Sequence, residues 1–223
     1  MVEKIKACID KLPPQSQNEI AILNQYRWEP GQTIHVRFLE GDPTVQEKVI
    51  KYAKKWEEHA NIRFEFGNEQ NAEIRISFDE NDGSWSYLGT YCKNIPLNEA
   101  TMNYGWLTPS TPEVEYSRVV LHEFGHALGC IHEHQNPTTN IPWNKEAVYR
   151  YYMGPPNYWS KEAVDHNIFA RYSKTITSFT TFDPTSIMLY SIQNELTIED
   201  YEVVGGVTLS DKDKEFIQRI YPF

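Results

Sequence analysis

Four of the seven histidines in this chain fall between positions 122 and 134. His122-Glu123-Phe124-Gly125-His126 puts two imidazoles four residues apart, on one face of a helix. One turn rises only ~5.4 Å, so both rings can reach a single ion at the ~2.0–2.1 Å that Zn2+ prefers. Glu123 follows the first ring at a different azimuth, which leaves its carboxylate to hold and deprotonate water on the metal. Gly129 tolerates the left-handed backbone that ends a helix and turns the chain sharply. His132 can then swing back as a third ligand. Three histidines leave one position open for water, the arrangement of a catalytic rather than a structural zinc. At this composition a chance H-E-x-x-H has odds of about 0.02, and requiring Gly129 and His132 lowers them to on the order of 0.00003.

The elements that must carry these residues are legible in outline. Ile34, Val36 and Phe38 alternate with His35 and Arg37, a half-buried strand. Asp42-Pro43 is a helix start, and Val45, Val49, Tyr52, Ala53 and Trp56 follow at helical spacing, which predicts a helix over 43–60. Strands follow at 62–66 and 74–78. The order strand, helix, strand, strand implies a mixed sheet with a crossover helix. Residues 79–110 read as one or two sheet-edge strands with loops, the edge falling within 84–92 or 101–107. The aromatics there, Trp85, Tyr87, Tyr104 and Trp106, suit a core or a cleft equally. Thr111-Pro112-Glu113 opens the helix that bears the histidine motif and runs to Gly129. Beyond it the pattern loosens: helices near 144–153 and 160–171, no sustained period over 172–209, and a last helix over 211–221 capped by Ser210.

Composition narrows the function classes. A net charge of −10 on 223 residues repels phosphate backbones and anionic lipid, so neither nucleic acid nor membrane is expected as a partner. No stretch approaches the ~18 apolar residues of a membrane span. Three cysteines, Cys8, Cys92 and Cys130, exclude a multi-bridge disulfide framework but not one bridge. The opening MVEKIKACIDKLPP lacks the apolar core of a secretory signal. The localisation expected is secretion or export by a route without a visible signal peptide.

The run from His122 to His132 resembles the extended zinc motif of the metzincin metallopeptidases. Ser186-Ile187-Met188-Leu189-Tyr190 is similar to their Met-turn, and Glu133 directly after the third histidine points to the astacin-like branch. Trp28, Gly31 and Ile34 resemble the opening of the astacin catalytic domain, so the likeness runs from about Trp28 to Pro222. It implies an α+β fold: a twisted mixed sheet with two long helices in the N-terminal half, an irregular helical C-terminal half, and zinc in the cleft between. Residues 1–27 would be an extension or short pro-segment, and 28–223 the catalytic domain, divided into 28–129 above the cleft and 130–223 below.

The resemblance also implies roles. His122, His126 and His132 would bind one catalytic zinc, Glu123 would be base then acid, and Met188 would form a floor under the ligands. Tyr190 would cap the metal at rest and move to stabilise the oxyanion. The lesser alternative for it is a buried aromatic with a satisfied hydroxyl. Glu133 would anchor a processed N-terminus or bond nearby backbone. The implied activity is a zinc-dependent endopeptidase acting as a monomer on protein or peptide, through a zinc-bound water activated by Glu123. A narrow, effector-like protease and a catalytically silent zinc-bearing interaction module are the competing readings. Departures from the family are the missing paired cysteines and the absence of arginine between Arg171 and Arg219, which withholds a preference for acidic residues after the cut. Cys8 suggests a thiolate latency ligand on the open zinc position; otherwise it packs with Ile5 and Ile9 at helical spacing. Asp42 reads as a helix cap.

Overall fold

The computed structural model describes residues 26–155, 157–171 and 181–223, and the backbone of 8–11. Among them six strands form one sheet: β1 (Cys8–Lys11), β2 (Thr33–Phe38), β3 (Arg63–Phe66), β4 (Ile74–Ser77), β5 (Ser84–Tyr87) and β6 (Met102–Tyr104). Their order is β1-β5-β6-β4-β2-β3. The pairs from β6 to β3 are parallel, β5 opposes β6, and β1 runs parallel with β5. The parallel pair β2–β3 requires a crossover, which α1 (Pro43–Ala53) supplies. Asp42 caps it by accepting Thr44 N–H at 2.8 Å, as its place before Pro43 predicts.

The predicted helix over 43–60 stops being α-helical at Ala53. Lys54–Glu58 tightens into a 3-10 turn, and it still buries Trp56. Against this layer lies α2 (Glu113–Ala127), which packs on α1 and β5. Its N-cap is Pro112. Ile34, Val36, Ile74, Ile76 and Met102 from the sheet meet Val45, Val49 and Trp56 below the helices, with Val119, Val120 and Phe124 of α2, in one core.

The second half carries α3 (Lys145–Tyr152), α4 (Lys161–Val164) with a wider helical turn through Phe169, and α5 (Asp211–Ile220). A separate cluster of Val148, Tyr152, Trp159, Ile168, Tyr190 and Leu196 holds much of it. Two residues at the ends of the domain lock onto α2. The Trp28 indole donates to Ala127 O (2.7 Å) and the Tyr221 hydroxyl to Leu128 O (2.6 Å), carbonyls at the helix end that lack intrahelical donors.

Two expectations need correction, and one open alternative resolves. β6 is an inner strand, so 101–107 is not the sheet edge; β5 lies outside it, with β1 on its far side. Trp85 and Tyr104 are buried and belong to the core rather than to a cleft wall. Cys8–Lys11 is extended, so helical packing of Cys8 with Ile9 does not hold. The rest of the expected 1–27 extension up to Gln25, and the Cys8 side chain, lie outside the described residues.

Candidate active site

α2 delivers His122 and His126 on one face and stops where the third histidine needs it to. Gly129 takes φ +91°, and Gly129 N–H and Cys130 N–H return to His126 O and Gly125 O at 2.8 and 2.9 Å. That paired closure ends the helix and reverses the chain. His132 then comes back on the same spot. The three Nε2 atoms lie 3.1, 3.1 and 3.3 Å apart, and all three rings are buried.

Proton placement gives these distances their meaning. His122 Nδ1 lies 2.7 Å from Ile187 O and His126 Nδ1 2.8 Å from Cys130 O. A carbonyl only accepts, so both Nδ1 atoms carry the proton and both Nε2 atoms present lone pairs. Burial, then the neighbouring imidazoles, hold His122 well below its ordinary pKa, in the neutral state a ligand needs. Converging lone pairs at these separations repel unless a cation sits among them. Tetrahedral ligands at ~2.0–2.1 Å from zinc stand about 3.3 Å apart, the spacing found here. The donor set therefore fits one zinc ion, and it is the only His/Cys/Asp/Glu group of that kind among the described residues. Glu123 is fully buried on the same helix.

The turn carrying Met188 underpins the ligands. Ile187 O receives His122, and Met188 O accepts Glu133 N–H at 2.9 Å. Asp213 of α5 fixes the turn from behind: its carboxylate accepts Ile187 N–H (2.8 Å), the Ser186 hydroxyl (2.7 Å) and Ser210 N–H (2.9 Å). Met188 fits beneath α2 because position 125 is glycine; a methyl group there would overlap Met188 Sδ and crowd Trp56. Neither Asp213 nor Gly125 stood out in the sequence. Asp213 is also the N3 half of the Ser210 capping box that opens α5.

Glu133 faces away from the ligands. Its carboxylate accepts Asp183 N–H (2.8 Å) and the Asn136 amide (3.1 Å), and burial pushes its pKa up to about 7. It borders a cavity shared with Cys130, Asp183, Met188 and Asp213, with Arg27 at the wall. The thiols of Cys92 and Cys130 are free and buried, and burial raises both pKa values. Tyr190 is buried with its ring over the ligands, 4.2 Å from the His132 ring and 5.7 Å from that of His122. His134, which the sequence did not single out, completes this group of rings.

Residues 21–220 match the model of the peptidase family described as Astacin. The chain is 25% identical over 205 residues to the zinc metalloproteinase dpy-31 of Teladorsagia circumcincta, a match covering 87% of this chain and 31% of that protein. For dpy-31 of Caenorhabditis elegans the figures are 25% over 208 residues, 89% and 33%. The chain thus spans about a third of the length of these curated relatives. Among solved structures it superposes on myroilysin with a TM-score of 0.87 at 50% identity, over 90% of this chain and 98% of that one. It shares the fold of high choriolytic enzyme 1, a hatching enzyme zinc-protease from Oryzias latipes, with a TM-score of 0.61 at 19% identity over 89% and 95% of the two chains.

Proposed function

The chain belongs to the astacin family of peptidases, and from that premise we propose that it is a zinc-dependent endopeptidase in which Glu123 moves the proton and Tyr190 steadies the oxyanion. The observation that carries this reading is the convergence of three histidine Nε2 atoms beside the helix that also buries Glu123. Zinc, when bound, supplies a Lewis acid that brings the pKa of water toward ~7. Glu123 accepts the proton of the attacking water and returns it to the leaving amine nitrogen. The Tyr190 hydroxyl donates toward the carbonyl oxygen as negative charge develops there. Met188 fills the space beneath the ligands. An extended peptide pairs with the outer edge of β5, which packs against the histidine-bearing helix.

That edge is where β1 runs, so residues 1–27 act as a pro-segment and 28–223 as the catalytic domain, with 28–129 above the cleft and 130–223 below. Cys8, in β1, is the latency ligand in this reading. Glu133, beside a cavity lined by two further carboxylates, receives the ammonium of the processed chain. The partner is a protein or peptide, the acting species is a monomer, and the site of action is outside the cytoplasm.

The test is digestion of an unfolded protein by the zinc-loaded chain, with and without removal of residues 1–27. Internal cleavage, a new amino terminus in each product, and loss of activity on chelation with recovery on zinc addition are expected. One zinc bound and no cleavage of any substrate after removal of 1–27 would favour the silent binding module. The Cys8→Ser chain is expected to cut without the lag of the parent. Equal lags would dismiss the thiol as a latency ligand.

A further inference from the structure

His134 is a buried imidazole that the reaction as described does not use. Its ring lies 5.1 Å from that of His132 with an interplanar angle of 27°, and 5.0 Å from that of Tyr190 at 29°. With His132 and Tyr190 4.2 Å apart and tilted by 40°, the three rings form a closed triangle in which His134 stacks on both of the others. Trp143 meets the outer side of His134 edge-on at 6.3 Å. Each ring therefore limits where the other two can sit.

The imidazole is also fastened to the second half of the domain. Its Nε2 lies 2.6 Å from Asn167 O, and since the carbonyl accepts, Nε2 carries the proton. The next residue does the same: Gln135 Nε2 donates to His166 O at 2.7 Å. These carbonyls end the helical segment that starts at Lys161, where no intrahelical donor remains. The side chains two and three residues after the third ligand thus clip a helix end of the lower half. A donor alone would meet that need, as Gln135 demonstrates one residue away. A flat ring stacked on both a ligand and Tyr190 does more than satisfy a carbonyl.

We propose that His134 is a positioning residue for Tyr190: the helix end at Asn167 fixes its ring, and its ring fixes the resting place and path of the phenol. This rests on the role given to Tyr190 above. Two variants separate the ring from the donor. His134→Gln keeps a donor for Asn167 O and removes the stacked face. His134→Phe keeps the face and removes the donor. The proposal expects His134→Gln to lower kcat ~10- to 100-fold with KM and zinc affinity near those of the parent. His134→Phe should retain the larger share of kcat and show the larger fall in Tm.

A purely structural histidine gives the opposite order, with kcat tracking Tm, and that result would overturn the proposal. The double variant decides the route of action. With Tyr190→Phe already in place, His134→Gln should cost little further kcat. Full additivity would show that His134 does not act through Tyr190. If Tyr190→Phe alone leaves kcat at the parental value, the role of Tyr190 itself falls and this proposal with it. Zinc affinity, measured by competition with a chelating dye, is read for every variant. A loss there for His134→Gln would mean that the ring supports His132 instead.

Discussion

At the scale of single residues, the centre is held together by where protons sit. Backbone carbonyls of Ile187 and Cys130 take the Nδ1 protons of His122 and His126, which aims two lone pairs at one point. A carbonyl partner orients a ligand ring without adding charge to the centre. Tyr190 lies over the His132 ring, and the proposed role gives it an oxyanion contact made only in the transition state. Tyr190→Phe should therefore lower kcat with KM nearly unchanged, by on the order of the 100-fold typical of a lost oxyanion donor. A rise in KM alone would make it a binding residue. The three histidines were legible in the sequence because their types and spacing are the chemistry. His134 and Asp213 were not, because nothing in a linear chain tells which ring stacks on which, or that a capping carboxylate also grips a turn 26 residues away.

At the scale of elements, two contacts set the height of the ligand platform: the helix α2 resting on Met188, and the turn tied to α5. Gly125→Ala places a methyl where Met188 Sδ lies, with Trp56 behind it. It should cost about 1–3 kcal/mol, as overpacked cores do, seen as a lower Tm of the metal-free protein. An unchanged Tm would mean that the turn yields freely. Asp213→Asn leaves one acceptor oxygen for three donors and should cost about 1–3 kcal/mol. The elements were read correctly where pattern and cap agreed, as at Asp42 and Ser210. Reading failed where tertiary context decided: a helix that tightens after Ala53 so that Trp56 enters the core, and short strands β5 and β6 whose order in the sheet no alternation reveals. Cys8–Lys11 is extended because β5 offers an edge, not because its residues demand it.

At the scale of the whole molecule, one link crosses between the halves and another ties α2 to α1 within the upper half. One is the metal: a ligand beyond the Gly129 turn joins α2 to the segment that leads into the lower half, so removing zinc should lower Tm and excess zinc raise it. The other lies at the opposite end of α2. Glu113 accepts from Lys51 (2.9 Å) and the Tyr52 hydroxyl (2.7 Å) of α1 and pairs with Lys48 (3.1 Å), which depresses its pKa to about 2. A depressed carboxylate stabilises the fold above its unfolded pKa of 4.5 and loses that contribution as pH falls toward 2. Since Glu113 is half exposed, the effect is modest and screened by salt. The Tm gap between parent and Glu113→Gln should thus be present at pH 7 and close by pH ~2. A gap independent of pH would remove the ion pairs as its cause.

The most direct test of the central claim pairs the zinc-loaded chain with Glu123→Ala, both freed of residues 1–27. Zinc content and hydrolysis of one unfolded protein are measured side by side. The expected result is one zinc per chain in both, with cleavage in the variant lower by several orders of magnitude. Comparable cleavage by the two at equal zinc content would contradict Glu123 as the proton carrier.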